Sequence, residues 1–174
     1  MLAVMPAAYT TLDLAPAVLP DGAPPWGSPH PRPDGVDLVV DGRQLLHRLD
    51  EADGTDAVSP LAADLPPILR AEHVRRLLDP APSLADGRQV IHSCPDCADP
   101  GCGAVTAVVE RAGEHGEDIV WRDFAWQTGP TADPREGYPG VGPFRFHGAA
   151  YRDVLLRLLD ASARRSGQAL EFVP

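Results

Sequence analysis

Three runs decide the fold: Gln89-Val90-Ile91-His92, Ala104-Val105-Thr106-Ala107-Val108-Val109-Glu110 and Asp118-Ile119-Val120-Trp121-Arg122-Asp123-Phe124-Ala125-Trp126. Each is rich in β-branched or aromatic residues, and Gly113 to Gly116 supplies turn residues between the second and third, the pattern of consecutive strands. They predict an antiparallel meander. The link between the first two runs is Ser93-Cys94-Pro95-Asp96-Cys97-Ala98-Asp99-Pro100-Gly101-Cys102-Gly103, which holds all three cysteines of the chain within nine positions. The cysteine loop, residues 92–103, is therefore expected at the first hairpin connection of the sheet.

Thiols this close point to a shared metal ion or to redox work before they point to packing. Cys94, Cys97 and Cys102 can wrap around one tetrahedral ion, with Pro95 and Gly101 helping the chain turn. Soft thiolates select zinc, copper(I) or iron-sulfur clusters over magnesium or calcium, and Zn2+ is the cofactor expected here. A structural site needs a fourth ligand, for which His92 is nearest in sequence. His47, His73, His115 and His147 are alternatives through the fold, and a bound water would make the site open and catalytic. Two rival readings stand beside this one: redox thiols at Cys94-Pro95-Asp96-Cys97, and inert buried cysteines. Against redox, Ala98-Asp99-Pro100-Gly101 is poorly suited to start the helix that lowers a thiol pKa, and Asp96 and Asp99 would raise it.

The chain has 174 residues, enough for one domain with a proper core. Its 15 basic residues are all Arg, with no Lys and no Asn, against 25 acidic residues and a formal charge of -10. That balance argues against general nucleic-acid binding and favours a basic protein partner, if any. Three cysteines cannot all pair, which suits a reducing cytoplasm. There is no transmembrane run, and Met1 to Pro6 lacks the basic and apolar regions of a signal peptide.

Residues 1–35 carry eight prolines and read as an extended arm, from which Tyr9 to Leu14 could add an edge strand and Trp26 could anchor on the body. Residues 36–174 form the single domain. Val36-Asp37-Leu38-Val39-Val40 reads as a strand stopped by Asp41-Gly42. A helix with Leu45, Leu46, Leu49 and Ala52 on one face follows, and Pro66-Pro67 opens a second that runs to Leu78. Thr128 to Pro143 is a long Gly/Pro-rich connection of the kind that carries function. Phe144-Arg145-Phe146 is a brief strand, and Gly148 to about Arg165 is a strong amphipathic helix. The aromatic set Trp121, Phe124, Trp126, Tyr138, Phe144, Phe146 and Tyr151 reads as core. Arg122-Asp123 reads as an exposed cross-strand pair, and His47 and His73 as helix-surface residues. No phosphate loop and no nucleophile elbow is present.

Cys97-x-Asp99-x-Gly101-Cys102, Val120-Trp121-x-Asp123-Phe124 and Gly142-Pro143-Phe144-x-Phe146-x-x-x-x-Tyr151 follow one another between residues 90 and 160. This order resembles a group of small uncharacterised bacterial proteins with a Cys-Gly-Asp-x-Gly-Cys loop, a Val-x-Trp-x-Asp-Phe strand and a Gly-Pro-Phe-x-Phe-x-x-x-x-Tyr segment. The resemblance brings no activity with it. Here Ala98 replaces the usual Gly and Gly103 stands where an aromatic residue is common. The first cysteine of that group often lies one residue closer to the second, which sets Cys94 apart.

The expected fold is α+β. An antiparallel sheet is built from residues near 36 to 40, 88 to 93, 103 to 111, 117 to 126 and 144 to 146, with two or three helices on one face. The expected function is a small cytoplasmic zinc-binding protein of binding or adaptor type, its metal held structurally by Cys94, Cys97, Cys102 and His92. A thiol oxidoreductase or open-site zinc hydrolase, with a cleft beside the 128–143 loop, is one alternative. An acidic inhibitor or immunity-type protein covering a basic partner is the other.

Overall fold

The computed structural model describes residues 8–18, 35–54, 59–61, 65–80, 84–94 and 99–170; Trp26 and Cys97 lie outside them. The fold is α+β, with two antiparallel sheets and three helices. The predicted meander forms as β4 (Gln89–Ser93), β5 (Ala104–Ala112), β6 (Asp118–Gln127) and β7 (Phe144–Phe146), each hydrogen-bonded to the next. Ser93 faces Ala104 at one end of the β4–β5 ladder, so the cysteine loop is indeed that hairpin's connection.

Residues 36–40 do not join this sheet. They form β2 (Val36–Val40), the centre of a second sheet between β1 (Leu12–Pro16) and β3 (Arg43–Gln44). The reason lies in the Asp41-Gly42 pair. It takes φ values of 47° and 76°, the two positive values of a type I′ hairpin turn, and folds Arg43 back onto Val40. The edge strand expected at Tyr9 to Leu14 forms slightly later in sequence, and its residues Leu12 and Leu14 pack on the core. Thr10 bridges Phe146 in parallel, with its N–H donating to the Arg145 carbonyl at 2.7 Å. This joins the two sheets at one edge.

The apolar faces meet in one core. Leu38 and Val40 of β2, Ile91, Val105, Trp121 and Phe146 are all 1% exposed or less. Helix α1 (Leu45–Ala52) contributes Leu45, Leu46 and Leu49, as its spacing predicts. Helix α2 (Pro67–Leu78) starts on a proline whose missing N–H costs nothing in a first turn, and it buries Val74 and Leu77. Helix α3 (Gly148–Leu170) extends past its predicted end at Arg165 and buries Tyr151, Val154 and Leu155. The Tyr151 hydroxyl donates to the Leu77 carbonyl at 2.9 Å, tying α3 to α2. Burial pushes that phenol well above its usual range, so it stays a donor. Trp121 packs edge-on to both Phe146 and Tyr151, a geometry that aligns ring edges with π faces.

The β5–β6 ladder is interrupted once, between Thr106 and Val108. Opposite that break Asp123 adopts φ 55°, left-handed backbone that only Gly, Asn and Asp visit readily. An extra residue in this conformation is a β-bulge, which bends a strand and re-aims its side chains. No helix among the described residues is long and apolar enough to cross a membrane.

Candidate functional site

The cysteine hairpin is organised from its own backbone. Asp99 accepts from the Gly101 N–H through Oδ1 at 2.8 Å, and its carbonyl accepts from the Cys102 N–H at 3.0 Å, closing the 3-10 turn Pro100–Cys102. Gly103 then takes φ 114°. A Cβ there would overlap the Trp126 indole, which lies across the glycine from β6. Gly103 thus stands in this chain because Trp126 covers the stem. Cys94 is half-buried just past the end of β4, and Cys102 is exposed in the turn. Cys97 falls outside the described residues.

His92 is placed otherwise than a loop ligand would be. Its side chain is fully buried, and its Nε2–H donates to Oδ1 of Asp37 in the other sheet at 3.0 Å. Asp37 is itself 1% exposed and accepts three hydrogen bonds. Its Oδ1 also accepts from the Leu38 N–H at 2.8 Å, and Oδ2 accepts from the Leu46 N–H at 3.2 Å. It thereby serves an orphan donor in the first turn of α1, whose own N-cap Gln44 offers no side-chain bond. The sequence reading missed Asp37. The signal was one acid inside a five-residue apolar strand, where burial requires partners. With the proton on Nε2, the lone pair of a neutral His92 ring lies on Nδ1, and that atom is buried with no hydrogen-bond partner among the described residues.

Register separates the remaining histidines. His115 lies in the β5–β6 turn and His147 follows β7, whose Phe146 pairs with Ile119. Both are at the end of the sheet away from the cysteines, about 27 Å along a strand of β5's length. His47 on α1 makes a 2.8 Å contact through Nε2 with the Val18 carbonyl. His73 was expected on the α2 surface, but its Nε2 is buried and has no hydrogen-bond partner among the described residues. Burial, with the neighbouring His92 and Arg76 adding to it, drives its pKa down to about 3. Among the described residues no three His, Cys, Asp or Glu side chains converge as a metal-holding group. His92 is thus in the hairpin stem but is not gathered with Cys94 and Cys102 into such a group.

A second feature lies where the sequence expected a functional loop. Residues 128–143 fold back over β6, Gly137 bridging Ala125, and leave an open groove of about 790 Å³. Phe124, Tyr138, Val141 and Pro143 line it with apolar surface, while Arg122, Asp123, Asp133 and Arg135 supply charge. Arg122 and Asp123 are neighbours on one strand and form an ion pair there. The cross-strand partner of Arg122 is Glu110, bound through Nε at 2.8 Å and Nη2 at 3.2 Å. Searches against protein families, curated proteins and solved structures found no match to the chain.

Proposed function

We propose that the chain is a zinc-binding protein whose hairpin loop closes on the ion through the thiolates of Cys94, Cys97 and Cys102, with His92 Nδ1 as fourth ligand. The observation that carries this reading is the state of the His92 ring. A metal-ligating histidine characteristically donates its other N–H to a carboxylate, which fixes its orientation and tautomer. Here Nε2 is held by Asp37 while Nδ1 is buried without a hydrogen-bond partner among the described residues. A buried polar atom left unmatched costs about 1–3 kcal/mol, a cost that a metal bond would remove. His92 and Cys94 are two residues apart, which in extended chain points both side chains to one face. Thiolate and imidazole together are the donor chemistry of closed, structural zinc sites.

On this reading metal binding is coupled to folding, so the free energy of the site adds to the stability of the protein. The reading needs the three thiols reduced, which suits a reducing compartment such as the cytoplasm. The role is binding or scaffolding, the ion bracing a hairpin. The test is metal content of protein purified without chelator, for wild type, Cys102→Ser and His92→Phe. About one zinc per chain in wild type, with loss in Cys102→Ser and weakened retention in His92→Phe, supports the reading. Metal-free wild type that melts identically with and without a chelator would overturn it.

A further inference from the structure

The groove above β6 is separate from the cysteine hairpin, and its residues have a consistent chemistry. Three guanidinium groups line it, Arg88, Arg122 and Arg135, against two carboxylates, Asp123 and Asp133. Glu110, which grips Arg122 from outside the groove, makes three carboxylates, so an incoming anion enters by exchange with one of them. The groove's volume of about 790 Å³ is within the roughly 300–1,000 Å³ typical of small-molecule sites. The apolar lining of Phe124, Tyr138, Val141 and Pro143 would accept a flat or aliphatic body.

Asp123 organises the cationic side. Its left-handed backbone turns its carbonyl onto the Arg88 guanidinium and its carboxylate onto Arg122. Arg88 is 8% exposed and also donates through Nε to Thr106 Oγ1 at 2.8 Å and through Nη2 to the Thr106 carbonyl at 3.0 Å. Burial pulls its guanidinium below the ordinary range, the charges of Asp86 and Asp123 opposing. An anion seated above would offset the same desolvation.

The exposed pairs at the mouth are exchangeable. Arg135 holds Asp133 through Nη2 at 2.7 Å and is itself 90% exposed. Arg122 turns one nitrogen to Asp123 while Glu110 grips the others from outside the groove. Exposed ion pairs are worth about 0–1 kcal/mol, so a ligand carboxylate can take the place of Asp123 or Asp133 at little cost. A guanidinium presents paired N–H donors that match a planar carboxylate.

We propose that this groove binds a small organic anion, a carboxylate on an aromatic or otherwise apolar body, received between Arg122 of the strand and Arg135 of the loop. The test uses three probes on the full chain, followed by isothermal titration and by amide resonances of Ala125, Gly137 and Gly142. These are 2-naphthoate, the same ring bearing an aminomethyl group, and inorganic phosphate. The expected result is saturable naphthoate binding that weakens with salt, with the amine and phosphate each at least about tenfold weaker. Arg122→Gln/Arg135→Gln should cost about tenfold or more, the effect of losing one or more hydrogen bonds to a charged group. If the double variant does not fold, Arg135→Gln alone carries the test, since that side chain is at the surface. Three results would each overturn the proposal: no saturable naphthoate binding, an amine or phosphate that binds as well as naphthoate, or naphthoate affinity unchanged in the Arg variants.

Discussion

Asp37→Ala tests whether a single carboxylate fastens the two sheets. In the wild type that side chain takes hydrogen bonds from Leu38 N–H at 2.8 Å, Leu46 N–H at 3.2 Å and His92 Nε2–H at 3.0 Å, all buried. The Leu38 bond is local to the strand and contributes least. Removing the carboxylate leaves the Leu46 and His92 donors buried and unmatched, each at about 1–3 kcal/mol, for a total near 4 kcal/mol. In a chain of this length roughly 2–4 °C accompanies each kcal/mol, so the thermal midpoint should fall by about 8–16 °C. Asp37→Asn keeps the shape and one acceptor oxygen but must turn its NH2 toward one of the two donors, so it should lose about half as much. Urea unfolding followed by far-UV circular dichroism, with m-values compared to check that the transition stays two-state, measures both. If Asp37→Ala unfolds within about 1 kcal/mol of wild type, the buried carboxylate does not fasten the sheets and the reasoning fails.

Two further outcomes follow from the same geometry. Gly103→Ala should destabilise by about 2 kcal/mol or more, because φ 114° is closed to a residue with a Cβ and the new methyl meets the Trp126 ring. Its cost should shrink in a Trp126→Ala background, as double-mutant urea melts would show. Asp118 is buried at 1% exposure, and Oδ2 accepts from Arg145 Nη2 at 2.7 Å and Nε at 3.0 Å and from the Tyr9 hydroxyl at 3.1 Å. The Arg145 bonds hold its pKa below the ordinary 3.8, burial opposing. A carboxyl depressed on folding stabilises above its unfolded pKa and loses that contribution as pH falls through the folded value. Urea midpoints should therefore drop from about pH 4 downward in wild type and be flatter there in Asp118→Asn.

The meander and the place of the cysteine loop were legible because strand periodicity and turn residues are local signals. Which sheet a strand joins is not local. Val36 to Val40 has the right composition for the meander, and only the geometry of Asp41-Gly42 and the upstream partner β1 assign it elsewhere. The same limit hid His73. Helical spacing puts it beside Val74, and whether that flank meets solvent depends on what β4 presents. Asp37 and Arg88 were overlooked for a related reason: a charged residue reads as exposed until a buried partner is in view, and those partners are 9 to 55 residues away for Asp37 and 18 to 35 for Arg88. The bulge at Asp123 leaves no mark in the sequence beyond an aspartate inside a strand, and so the charged side of the groove was not foreseen.

The bridge from Thr10 to Phe146 also fixes an order of events during synthesis. Tyr9 and Thr10 meet Asp118 and Arg145, partners 109 and 135 residues further along the chain. As the ribosome delivers residues one after another, β1 can pair with β2 early and Asp37 can meet His92 once β4 is out, but the edge bridge between the two sheets cannot form until β7 has emerged. Contacts of such wide separation slow folding, since a long loop must close before they return any free energy. Until then β1 presents an outer end still awaiting its neighbour, exposed to pairing with other nascent chains.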